Sequence, residues 1–154
     1  AATDGPTLLA QAVGDVAEVF LARAPGERRD PLSWPITQVV LARAGEGICD
    51  LWSLGDSAAY LRDADGRVTV LDAVPDLRDA ETREVADLFA RTGATTQTVR
   101  TTPLFRERWA ERRRRQLSGA EPPVLSLDPA FAGRAAHLRC PYSPGAHLLL
   151  ATDG

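Results

Sequence analysis

The chain has no lysine and no methionine among its 154 residues, and it has only two cysteines and two histidines. All of its 18 basic residues are arginines, set against 21 acids for a formal net charge of -3. Nothing global therefore points to nucleic acid or to a membrane surface as partner. No apolar run approaches the roughly 20 residues of a bilayer span, and nothing resembles a secretory leader. Neither Cys49 nor Cys140 has metal-ligand spacing to a histidine. Both sit in strand-like apolar contexts and read as buried thiols in a reducing, cytoplasmic compartment. The missing methionine, the opening Ala1-Ala2-Thr3-Asp4-Gly5 and the stop at Asp153-Gly154 read as an internal fragment of a longer protein. There is no internal repeat, no low-complexity segment and no Ser/His/Asp arrangement.

What is present suits one domain, 1–154, with 44% hydrophobic residues for a core. Leu8, Leu9, Ala12, Val13, Val16, Val19 and Phe20 recur at helical spacing, so Pro6 to Arg23 reads as a helix capped by Asp4 or Thr7. Four strands follow as an antiparallel meander: Thr37 to Ala44, Ile48 to Leu54, Ala58 to Arg62 and Arg67 to Leu71. Asp79 to Arg91 reads as a helix with Val85, Leu88 and Phe89 inward and Gly93 as its stop. Thr102 to Leu117 reads as another, capped by Thr102, with Leu104, Phe105, Trp109 and Leu117 inward. Val124 to Leu127, Ala136 to Cys140 and His147 to Thr152 complete the strands. The order strands, helices, strands predicts an α+β chain.

Two segments share a wording. Leu51 to Leu54 runs into Gly55-Asp56-Ser57, and Leu148 to Ala151 runs into Thr152-Asp153-Gly154. A carboxylate at the end of a buried strand is costly unless paired or bound to a metal, and two such strand ends can assemble a hard-cation site. Asp-Gly is also the commonest turn dipeptide, and Asp65-Gly66 reads as a turn.

The phrase Gly55-Asp56-Ser57 with Tyr60-Leu61, Gly66, Val68 and Leu71, followed far downstream by Pro144-Gly145 and Leu148-Leu149-Leu150-Ala151-Thr152-Asp153-Gly154, resembles the type 2C metal-dependent protein serine/threonine phosphatases, nearest a bacterial branch of stand-alone domains. The resemblance implies an antiparallel β-sandwich flanked by antiparallel helices, a four-layer α/β/β/α fold incomplete at both ends. It implies hydrolysis of phosphoserine or phosphothreonine in proteins by a metal-activated water, with two or three Mn2+ or Mg2+ ions and a phosphoprotein as partner. Asp153 matches a primary metal ligand and Asp56 an auxiliary one, with Gly55, Ser57 and Gly154 near the site. The family's other acidic phrases have no clear match, and Asp4-Gly5 fits poorly because its helix starts at once, so the fragment alone is expected to be inactive.

A second reading is a non-catalytic phosphatase-like fold used as a binding or regulatory module, and a third is an unrelated α+β binding domain. Arg106, Arg108 and Arg112 to Arg115 read as cations near a helix C-terminus, paired with Glu107 and Glu111, although an acidic contact is conceivable. His137 and His147 read as satisfied strand histidines, and Trp34, Trp52 and Trp109 as core or rim aromatics.

Overall fold

The computed structural model describes residues 4–24, 32–55, 57–71, 78–119, 121 and 124–151. It divides into two units, residues 1–74 with 122–154 and residues 75–121.

In the first unit, the four-residue spacing of Leu9, Val13 and Ala17 becomes the buried stripe of helix α1 (Gly5–Arg23). The Asp4 carboxylate accepts from the Thr7 N–H at 2.8 Å and closes the first turn. Pro6 follows in that turn, where a missing donor is harmless.

Strands β1 (Val39–Gly45) and β2 (Ile48–Leu54) form a hairpin whose register runs from Val39 opposite Leu54 to Gly45 opposite Ile48. Glu46 and Gly47, at φ 51° and 78°, supply the two left-handed residues of its tight turn. Strand β5 (Ala136–Pro141) pairs with the other side of β2, giving the order β1-β2-β5. Strand β3 (Ala58–Arg62) lies between β4 (Val68–Val70) and β6 (His147–Ala151) in a second antiparallel sheet, β4-β3-β6.

The expected meander is therefore broken after β2. Gly55, at φ 85°, carries the chain from one sheet to the other. The expected strand Val124 to Leu127 reduces to a bridge between Thr37 and Leu125, with backbone bonds of 2.9 Å in both directions.

Strand β2 is buried on both faces. Leu54, fully buried, packs with Leu9, Val13 and Leu125 on the α1 side. Cys49 and Leu51 pack with Ala59 and Leu148 on the other side, so the two sheets share a core. The first unit is thus helix on sheet on sheet, an α+β arrangement of two three-stranded antiparallel sheets.

The second unit holds α2 (Arg78–Thr92), a 3-10 turn (Val99–Thr101) and α3 (Pro103–Ser118). Leu88 is buried, whereas Val85 and Trp109, expected to face inward, are 45% and 53% exposed. Arg108 of α3 reaches Asp87 of α2 at 2.6 Å. Thr102 caps α3, and Gly119, at φ 82°, ends it. Among the described residues no helix is long and apolar enough to cross a membrane.

Candidate functional site

Strand β3, which follows the Gly55-Asp56-Ser57 phrase, pairs with β6, with Ala58 opposite Ala151, whereas β2, which runs into that phrase, lies in the other sheet. Asp56, Asp153 and Gly154 themselves lie outside the described residues. Gly55 packs so closely on Gln38 that a side chain there would overlap it. Ser57 is buried, and its Oγ has no hydrogen-bond partner.

The described acids that hold defined partners do structural work. Asp4 caps α1. Asp63 accepts from the Arg67 N–H at 2.8 Å across the β3–β4 turn. Asp128 caps the 3-10 segment Pro129–Arg134. Asp50 is the most committed of them. Strand alternation puts Asp50, Trp52 and Leu54 on the α1 face of β2. Register sets Arg43 and Arg139 opposite Asp50, and His137 opposite Trp52.

The bond from the Tyr142 N–H to the Gly47 carbonyl continues the β2–β5 register. It makes Asp50/Arg139 and Trp52/His137 non-hydrogen-bonded pairs, the closer of the two kinds in an antiparallel ladder. The His137 ring accordingly stacks on Trp52 at 5.0 Å. Asp50 Oδ1 accepts from Arg139 Nε at 2.7 Å and lies 2.9 Å from His137 Nε2. Oδ2 accepts from Arg43 at 3.1 Å and Arg139 at 3.2 Å.

Those contacts occupy about all the acceptor sites a carboxylate has. Hydrogen bonds from Arg139, then His137, hold the Asp50 carboxyl well below the usual carboxylate range, and Arg139 is pushed up in return. A carboxylate so saturated is neither a general base poised near neutral pH nor an open metal ligand. His137 was expected as a satisfied strand histidine, but its partner was missed. The signal was the alternation of Asp50 with Trp52 on one strand and of His137 with Arg139 on another.

No family model, curated protein or solved structure matches the chain. Among the described residues no group of three or more His, Cys, Asp or Glu side chains could hold a metal ion. These findings correct the reading drawn from the resemblance. Assignment to the type 2C phosphatases, hydrolysis of phosphoserine or phosphothreonine, the Mn2+ or Mg2+ cofactors and the description as a metal-binding hydrolase in dephosphorylation signalling are not retained. The physical reason is the absence, among the described residues, of convergent oxygen ligands able to neutralise a pair of divalent ions.

A different feature remains without an internal role. The outer face of β4-β3-β6 carries Tyr60 directly between Val70 and Leu149, with Val68 opposite Arg62. Val68, Val70 and Leu149 are 58%, 53% and 61% exposed. The solvated face of an antiparallel sheet is ordinarily polar. This one presents a contiguous apolar strip bordered by Arg62 and His147.

Proposed function

We propose that the chain is a non-catalytic binding or regulatory module, and that the outer face of β4-β3-β6 is where it meets another protein. The apolar strip of Tyr60, Val70 and Leu149 carries this reading. Contiguous exposed apolar patches on soluble domains mark interaction sites more often than scattered residues do. Covering one of these half-exposed aliphatic side chains returns on the order of 1 kcal/mol. The strip alone falls short of the cost of association, roughly 4–15 kcal/mol. It therefore acts as the central anchor of a wider interface with a polar rim, for which Arg62 and His147 are placed.

The test is affinity capture with the wild-type chain and with Val70→Asp and Leu149→Asp, each verified as folded by circular dichroism. Both variants should lose the same bound protein. The same preparations, assayed with Mn2+ and an aryl phosphate, should show no turnover. Unaltered capture by both variants, or metal-dependent turnover by the wild-type chain, would sink the proposal.

A further inference from the structure

Helix α3 carries four consecutive arginines, Arg112 to Arg115. Three of them have acidic partners in the same unit. Arg112 and Arg115 reach the two oxygens of Glu121 at 3.7 and 3.3 Å, and Arg114 reaches Glu111 at 2.9 Å. Arg113 is different. It is 7% exposed, the most buried of the four, and its Nε is sealed from solvent with no hydrogen-bond partner.

A guanidinium cannot escape this situation by losing its proton, because arginine stays charged in proteins. A guanidinium N–H sealed from water without an acceptor costs free energy that a partner would recover. The usual resolution is an anion. The guanidinium fork fits carboxylate and phosphate oxygens, which it binds with short, charge-assisted bonds. Its neighbours add to the field. Arg112 and Arg115, one on each side of it in sequence, both reach Glu121 and place two more guanidinium groups on the same stretch of helix. Gln116, one turn on from Arg113 and also buried, puts an amide with two donors on the same side of the helix. Burial pushes the Arg113 guanidinium down from its ordinary value, the direction expected of a cation without a counter-ion.

We infer that Arg113 anchors a binding site for an oxyanion, a carboxylate or phosphate group, with Gln116 beside it on α3. The site lies on a different element from the apolar strip and stands whether or not that strip binds a protein.

The experiment is a thermal melt of the whole chain titrated with inorganic phosphate or with malonate, against sodium chloride at matched ionic strength. The wild-type chain should show a saturable rise in Tm with one or both probes, and whichever acts identifies the preferred anion. Arg113→Met keeps the length and apolar stem of the side chain without its charge. It should melt higher than wild type in chloride and lose the saturable rise. Arg113→Lys keeps the charge without the fork and provides a second variant should Arg113→Met fail to fold; its saturation should need more anion. In parallel, the Arg113 Nε–H resonance should move on titration, a readout that does not depend on comparing the stability of variants. A flat wild-type titration with both probes, or rises of the same size in wild type and variant, would overturn the site, and rises confined to high concentration would mean an adventitious ion only.

Discussion

Gly5, the first residue of α1, lies against the indole of Trp52 so closely that a methyl group added at Gly5 would overlap the ring. The Asp4-Gly5 pair, which fits a metal-binding phrase poorly, has two structural roles instead. The Asp caps the helix, and the Gly lets its first turn settle on the sheet. Gly5→Ala should destabilise the first unit. The gain in helix propensity, at most about 1 kcal/mol, works against an overpacking cost of roughly 1–3 kcal/mol. Trp52 is itself pinned by His137, so the helix must move instead. Urea denaturation should show the loss, and a second change, Trp52→Leu, should recover part of it in a double-mutant cycle. Equal stability of Gly5→Ala and wild type would mean that α1 does not sit on Trp52 as described.

The Asp50 cluster makes a signed prediction for pH. The carboxyl is held below its ordinary value by Arg139, His137 and Arg43. Its contribution is therefore present in full above the unfolded value, about 3.9. It is lost as pH falls below that value toward the depressed folded one. Asp50→Asn should be less stable than wild type at pH 7, and the gap should close progressively below about pH 4. Asp4, also lowered by its bonds to Thr7, titrates in the same direction in both proteins and cancels in the difference. Denaturant titrations between neutral and acid pH will show whether the curves converge. Parallel curves would mean that Asp50 is not the charge these cations hold.

Much of the local structure was legible because it rests on local rules. Leu9, Val13 and Ala17 announce α1, Thr102-Pro103 announces the start of α3, and Gly45 to Gly47 announces the first hairpin. What was not legible was long-range. Nothing in Leu54-Gly55 says that the next strand leaves the sheet, because either outcome uses the same turn residue. The segment Val124 to Leu127 has strand composition, yet it finds one bridging partner, Thr37, instead of a ladder. Trp109 falls on the helical spacing of an inward residue, but it stays exposed with its ring stacked on Phe105 at 5.9 Å. The role of Asp50 depends on a histidine and an arginine more than eighty positions away. Of the Asp-Gly pairs, Asp4-Gly5 starts α1 and Asp65-Gly66 lies in the turn between β3 and β4 that its composition predicts, whereas Asp153-Gly154 lies outside the described residues.

The second unit should respond to its cap. Thr102 Oγ1 accepts from the Phe105 N–H at 3.3 Å and donates to the Val99 carbonyl at 2.7 Å. Thr102→Ala removes both bonds and should cost about 1 kcal/mol, whereas Thr102→Ser should cost little. Hydrogen exchange resolved by residue is the measurement of choice. Faster exchange in the first turn of α3 for the alanine variant alone supports the cap, and identical protection in all three proteins refutes it.

The two cysteines stand directly opposite each other, Cys49 on β2 and Cys140 on β5, and both are free thiols. Their register invites a disulfide, but the ladder argues against one. The Tyr142 to Gly47 bond makes residues 47 and 142 a hydrogen-bonded pair. Alternation then makes 49 and 140 one as well. Opposed Cβ atoms at such positions are about 5.5 Å apart, wider than the roughly 3.5–4.5 Å a disulfide spans. Closing the bridge would pull edge strand β5 against central strand β2 beside Leu51 and Leu138, which pack against Ala59 where the two sheets share their core. Burial also pushes both thiols up from their ordinary value, which lowers the fraction of reactive thiolate. The native chain should therefore keep two thiols after exposure to a mild disulfide oxidant. Alkylation at neutral pH should be slow until denaturant is added. A loss of two mass units with native stability retained, or rapid alkylation of both thiols in the folded protein, would contradict this account of the β2–β5 ladder.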